Sequence, residues 1–146
     1  MSFQKILVPT DGSNNTMAAI NKAMELAKAV NGSVTALFVV DQSMLVNMPM
    51  DAAVRNVYGA LTEEGQKAVD DVLNIGKEAG VEVTPMVKDG TPFQVIIDES
   101  ANFDVVVMGT LGRTGMSKLV MGSVADRVIR GAKCPVMVVR STEAKS

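Results

Sequence analysis

Apolar and polar positions along this chain fall into blocks that switch between the two-residue period of strands and the 3.6-residue period of helices. Lys5–Pro9 is a short apolar strand closed by its proline. Met17, Ile20, Met24 and Ala27 (or Leu26) recur at helical spacing, which predicts a helix from Thr16 to about Val30, capped by Asn14 or Asn15 and ended by Asn31-Gly32. Ser33–Val40, rich in Val, Leu and Phe, predicts a second strand. Leu61, Val69, Val72, Leu73 and Ile75 predict a long helix over Tyr58–Ala79, closed by Gly80. Residues 41–57 carry Met44, Leu45, Val46, Met48 and Met50 around Pro49, a pattern that fits either a lid or the start of the long helix.

The second half repeats the alternation. Val81–Val87 is polar at alternate positions, which predicts a third strand at a sheet edge. Thr91 as cap and Pro92 at the first helical position start a short helix through Ser100. Asp104–Met108 predicts a buried fourth strand stopped by Gly109. Ser123 is expected to cap a helix over Val124–Arg130, and Pro135–Val139 predicts a fifth strand before a polar tail, 141–146. Strands separated by helices pair in parallel, with helices on both faces. The expected fold is therefore α/β, a single domain over 1–146 with an open five-stranded parallel sheet in the order 3-2-1-4-5. Ligands in such sheets sit outside the carboxyl ends of the strands where the order reverses, here between strands 1 and 4. The loops at that point are Pro9–Ser13 and Gly109–Gly115.

Composition narrows the function classes. The 146 residues are 47% hydrophobic, enough for a real core, and carry 14 Lys+Arg against 16 Asp+Glu. The absence of a basic excess argues against a nucleic-acid partner. The chain has no histidine, which removes histidine triads, proton shuttles and metal ligands. One cysteine, Cys134, rules out an intramolecular disulfide and fits a reducing compartment; it reads as a packing residue. No signal peptide and no membrane span are expected, which together predict a cytoplasmic protein. Glu63-Glu64, Asp70-Asp71 and Asp98-Glu99 read as solvated helix faces. The methionines at 44, 48 and 50 fit an adaptable partner surface or lid packing.

The candidate chemistry is concentrated in VVVMGTLGRTGMSKLVMGSV, residues 105–124. Its glycines run G-x-x-G, nine residues, then G-S. A glycine loop leaving a buried strand and a Gly-Ser opening a helix both leave backbone N–H groups unpaired, and phosphates suit both. Gly109 and Gly112 can take positive φ, and Gly122 brings the main chain near the same point. Ser123 adds a hydroxyl, and the amides of Val124 and Ala125 lie where the helix dipole favours negative charge. Arg113 and Lys118 supply cations from the loop. Singly, such glycines serve tight turns; together, after a buried strand, they point to a nucleotide. Neither a P-loop nor a G-x-G-x-x-G after the first strand is present. Asp11, in Pro9-Thr10-Asp11-Gly12-Ser13, is placed to accept from a ribose hydroxyl or to hold Mg²⁺; its alternative is an Asx-turn before the helix.

These residues resemble the universal stress protein family, over about Ser2 to Arg140. The resemblance is carried by Val8-Pro9-Thr10-Asp11-Gly12-Ser13, by Phe38-Val39-Val40-Asp41 and by Gly109-x-x-Gly112-x9-Gly122-Ser123, the last marking the family's ATP-binding branch. The resemblance implies a flavodoxin-like sheet and a homodimer paired through the last strand, 136–140. It implies ATP, with Mg²⁺ or Mn²⁺, whose adenine lies near Pro9 and the main chain of Val39 and whose ribose lies near Asp11 and Gly109. Its phosphates would rest on Gly112, Arg113, Gly122, Ser123 and Val124, with Thr10 and Met108 in the same cleft and Asp11 as the metal contact. Leu111 departs from the family's small residue or histidine and offers a phosphate no polar side chain.

Three functions fit: an ATP-binding regulator with a protein partner, a slow ATPase or phosphoryl or nucleotidyl transferase, and a dimeric scaffold whose cleft is empty or holds another ligand such as AMP or a cyclic nucleotide. An apolar edge at Val136–Val139 supports pairing of two chains, unless the tail covers it. With no histidine and no acid near the phosphates except Asp11 and Asp41, hydrolysis is expected to be weak at most.

Overall fold

The computed structural model describes residues 3–43, 47–110 and 122–141. Five strands form one parallel sheet: β1 (Lys5–Pro9), β2 (Ser33–Asp41), β3 (Val83–Gly90), β4 (Val105–Gly109) and β5 (Val136–Val139), in the order β3-β2-β1-β4-β5. Four helices connect them: α1 (Met17–Val30), α2 (Ala52–Ala79), α3 (Pro92–Ser100) and α4 (Ser123–Gly131). The expected fold class and strand order are the observed ones.

The two-residue period of the central strands builds two cores. Ile6, Val8, Ala36, Phe38, Val40, Val105 and Val107 face one side, where Ile20, Ala23 and Met24 of α1 and Ala68, Val69 and Val72 of α2 cover them. Leu7, Leu37, Val106 and Met108 face the other, under Ile96 of α3 and Ala125 and Val128 of α4. Every residue of β4 is buried, as expected of a parallel strand covered on both faces.

Several boundaries differ from the sequence expectation. The long helix starts at Ala52, six residues before Tyr58, because Asp51 caps it by accepting from Val54 N at 3.0 Å. The part of 41–57 from Ala52 on is thus helix; residues 44–46 lie outside the described residues. Neither Asn14 nor Asn15 caps α1: Asn14–Thr16 form a 3₁₀ turn, and Thr16 Oγ1 turns back to Ser13 O at 2.9 Å. Met17 is exposed, and Ala19 and Ala23 take core places on α1 instead. β3 runs from Val83 to Gly90, later than its periodicity implied, and β2 continues to Asp41. At α4 the cap position is Gly122, not Ser123, and no side chain bonds there. Gly80 closes α2 in the left-handed region at φ 76°, as expected of its residue type.

Candidate functional site at the carboxyl ends of the strands

β1 ends at Pro9, opposite Leu37, while β2 runs on to Asp41 opposite Gly90. Thr10 N extends the ladder by one bond, to Leu37 O at 2.9 Å. No residue of β1 stands opposite Val39. Alternation along a strand turns the peptide groups of Val39 to the same edge as those of Leu37, so they look into the gap where β1 has turned away.

The chain leaving β1 is tied to itself. Asp11 Oδ1 accepts from Ser13 N at 2.9 Å and Ser13 Oγ at 2.6 Å, an Asx-turn. The buried Thr10 hydroxyl accepts from Gly12 N at 3.1 Å and meets Thr16 Oγ1 at 3.2 Å. Since Thr16 gives its proton to Ser13 O, Thr10 is the donor to Thr16. Gly12 sits at φ 81°, the left-handed conformation that tightens this turn. The result is a pre-formed loop that holds Asp11 half-buried at the end of β1.

On the other side of the switch point, Gly109 is the last residue of β4 and pairs with Val139. It is extended, so the positive φ open to a glycine is not used there. The decisive contact follows one residue later: Gly122 N donates to Thr110 O at 2.7 Å. The carboxyl end of β4 and the amino end of α4 therefore meet. The first intrahelical bond of α4 is Asp126 N to Gly122 O at 3.0 Å. The amides of Ser123, Val124 and Ala125 are then the first-turn donors that a helix does not itself satisfy. Gly122 has φ −64°, so it holds this place without conformational strain. Asp126, the one acid in the first turn, pairs with Arg130 Nε at 3.2 Å.

The structure thus brings Pro9, Thr10, Asp11, Val39, Met108, Gly109, Gly122, Ser123 and Val124 to one end of the sheet. Met108 is buried in the core beneath it. Gly112 and Arg113 lie outside the described residues. Among the described residues no group of three or more acidic, Cys or His side chains is placed to hold a metal. Mg²⁺ that arrives on phosphates keeps several waters and asks the protein for only one or two carboxylates, and Asp11 is a suitable one.

A separate surface depression of about 390 Å³ is lined by Lys28, Asn31, Gly32, Gly80, Val81 and Glu82. These residues precede β2 and β3, so it lies at the opposite, amino end of the sheet and is remote from the converging amides.

The sequence reading missed one polar contact at the rim. Tyr58 Oη on α2 donates to Asp89 Oδ2 at the end of β3, 2.5 Å away. This bond holds the phenol above its ordinary value of 10.0, with burial adding to the shift. Tyr58 is the chain's only tyrosine, near the start of a helix, and that was the available signal.

A model described as the universal stress protein family matches residues 2–140. The chain belongs to the universal stress protein family. Within it, universal stress protein MJ0531 of Methanocaldococcus jannaschii is 39% identical over 140 residues, covering 94% of this chain and 82% of that protein. A solved structure, that of hypothetical protein MJ0577, superposes with TM-score 0.85 at 25% identity, over 99% of this chain and 100% of that one. A universal stress protein solved in complex with cAMP shares the fold at TM-score 0.71 and 20% identity, over 97% and 100% of the two chains. So does one from Arabidopsis thaliana with AMP bound, at TM-score 0.69 and 19% identity, over 96% and 93%.

None of the described helices is long and apolar enough to cross a membrane.

Proposed function

We propose that this chain is an ATP-binding regulatory protein, acting as a single nucleotide-binding domain in a cytoplasmic homodimer, with slow or no hydrolysis. The observation that carries this reading is the Gly122 N to Thr110 O bond. It sets the first-turn amides of α4 beside the end of β4, where the field of the helix favours anions. In this reading the phosphates rest on Gly122, Ser123 and Val124, joined by Gly112 and Arg113. Asp11 meets the ribose or the Mg²⁺ or Mn²⁺ that accompanies the phosphates. Adenine lies by Pro9, with the peptide groups of Val39 as its hydrogen-bond partners, and Gly109 approaches the ribose.

The chain's own residues support binding better than turnover. The chain has no histidine, and the acids near the cleft, Asp11 and Asp41, each accept from a backbone amide two residues on. Phosphoryl transfer needs a positioned nucleophile and dense charge neutralisation. The cleft is furnished to hold a triphosphate.

Pairing through β5 is supported by its edge position and by Met137, 38% exposed. A protein partner would read the nucleotide state of this dimer.

AMP or cyclic nucleotide is the second reading, favoured by the two structures of this fold that hold such ligands. Denaturing the purified protein and resolving the released nucleotide by ion exchange separates the readings. Released ATP supports the regulator, ADP with steady phosphate production supports an enzyme, and AMP, cyclic nucleotide or nothing overturns the choice of ATP.

A further inference from the structure

Among the described residues three polar side chains are buried: Thr10, Thr16 and Ser100. Ser100 fastens the end of α3 to the chain before β5. The other two meet at the base of the loop that leaves β1. There, six residues apart, Thr10 Oγ1 donates to Thr16 Oγ1 at 3.2 Å. Further along the loop, the carbonyl of Ser13 accepts from Thr16 Oγ1 at 2.9 Å and from Thr16 N at 3.2 Å. Ser13 in turn gives its amide and its hydroxyl to Asp11 Oδ1. Thr16 thus holds the loop at two points, and the second of them holds the residue that holds Asp11.

The local rules of helix starts are set aside here twice. Ser13 stands at the cap position of the 3₁₀ turn and Thr16 at that of α1. Hydroxyls at such positions ordinarily accept from helix amides. Neither makes a cap bond: Ser13 gives its hydroxyl to Asp11, and Thr16 gives its own to Ser13 O. An apolar residue would fill the place of Thr16, and a buried hydroxyl is costly unless it is bonded. Both bonds of the Thr16 hydroxyl run to the loop of Asp11 and neither serves α1. Local rules broken together at one place mark a functional site.

We propose that Thr16 is a positioning residue for the nucleotide site: its hydroxyl fixes the loop so that Asp11 is set before ATP arrives. This rests on the reading of the cleft as an ATP site with Asp11 in contact with the nucleotide. A carboxylate accepts about four hydrogen bonds, so the two from Ser13 orient Asp11 without exhausting it. A binding group already held in its bound geometry is not ordered at the expense of association, so the gain appears as affinity. Thr16, buried behind the loop, does not touch the nucleotide.

The test is calorimetric titration of ATP with Mg²⁺ into the full chain as parent, Thr16→Val, Thr16→Ser, Asp11→Ala and the double variant Asp11→Ala/Thr16→Val, each matched by dichroism. Thr16→Val removes the hydroxyl at nearly constant shape and should weaken ATP roughly three- to ten-fold, the cost of ordering one more side chain on binding. Thr16→Ser keeps the hydroxyl and should bind as the parent does. In the Asp11→Ala background, Thr16→Val should change affinity by less than about two-fold, because residues that act through one another are not additive. In the nucleotide-free parent, the Ser13 amide should exchange slowly by NMR, a reading that does not depend on any variant folding. A Ser13 amide that exchanges freely until ATP is added shows a loop that is not preset and overturns the proposal. So does an equal loss from Thr16→Val with and without Asp11, which is a merely structural effect, and so does a Thr16→Ser variant as weak as Thr16→Val. Parental affinity in Thr16→Val, with Asp11→Ala weakened, overturns the proposal and leaves the site standing. A parent that binds no ATP, or an Asp11→Ala variant that binds as the parent does, removes the reading of the site and the proposal with it.

Discussion

The amide of Gly122 and the carbonyl of Thr110 lie 2.7 Å apart, joining the end of β4 to the start of α4. Twelve positions separate the two residues in the chain, and neither carries a charged side chain. What this contact produces is a concentration of main-chain donors at the point where the strand order reverses. A bound triphosphate stabilises the native state by mass action. At about 100 times its dissociation constant, ATP is expected to add about 2.7 kcal/mol. For a chain of this size that raises the melting temperature by roughly 5–10 °C, measurable by calorimetry with and without ATP.

Two glycines in α2 predict opposite outcomes for the same substitution. Gly59 is exposed with nothing within 4 Å of an added Cβ, so Gly59→Ala should stabilise by about 0.5–1 kcal/mol through helix propensity. At Gly65 the same methyl would meet the buried Phe38 ring at 2.5 Å. Gly65→Ala should therefore destabilise, by about 1–3 kcal/mol of overpacking. Urea midpoints of the two variants check the signs.

Ser100 is completely buried, and its hydroxyl donates to Ile97 O at 2.6 Å while accepting from Lys133 N at 2.8 Å. It staples the end of α3 to the chain between α4 and β5. Ser100→Ala leaves the Lys133 amide without its acceptor, at a cost of about 1–3 kcal/mol. Thermal denaturation should show a lowered midpoint with no change in far-ultraviolet dichroism.

Two groups predict a loss of stability in alkali. Burial, then the charge of Asp104, raises the Cys134 thiol above its ordinary 9.0. The bond to Asp89, then burial, raises Tyr58 above its ordinary 10.0. A group raised in the folded state stabilises fully below its unfolded value and loses that contribution as pH climbs through the folded one. Their contributions should thus be steady from pH 7 to about 9 and decline above it. Denaturant midpoints across pH 7–11 test this, and Tyr58→Phe should flatten the part of the decline above about pH 10.

The proposed dimer predicts that Met137→Lys, at the exposed edge strand, yields a monomer by sedimentation with the sheet intact. A parent that sediments as a monomer at the same concentration contradicts pairing through β5.

Much of this fold was legible because the two periodicities were strong. Val105–Met108 reads as a strand buried on both faces, and the β/α alternation leaves few sheet orders. The errors fell where side-chain chemistry competes with pattern. Asp51 begins α2 just after the methionines around Pro49, and only Val54 is buried before Tyr58, so the pattern showed the helix only from Tyr58. Thr16 spends its hydroxyl on Ser13 O, which puts a 3₁₀ turn where Asn14 or Asn15 had seemed the cap. At the site, the Asp11 turn was one of two readings its residues allowed, and Gly122-Ser123 marked the start of α4 with the cap placed one residue late. The Tyr58–Asp89 bond was not legible, since it depends on how a helix lies across a strand 31 residues away.

The central claim is that α4's first-turn amides, beside Thr110, hold the phosphates of ATP. Gly122 has φ −64° and ψ 155°, a conformation a β-branched residue adopts freely, so Gly122→Val adds bulk at the anion site without backbone strain. The direct measurement is calorimetric titration of ATP into the parent and into Gly122→Val, with matched dichroism and melting in the absence of nucleotide. The account predicts binding by the parent and at least a ten-fold weaker affinity, about 1.4 kcal/mol, in the variant. Equal affinity in the two folded proteins would contradict it.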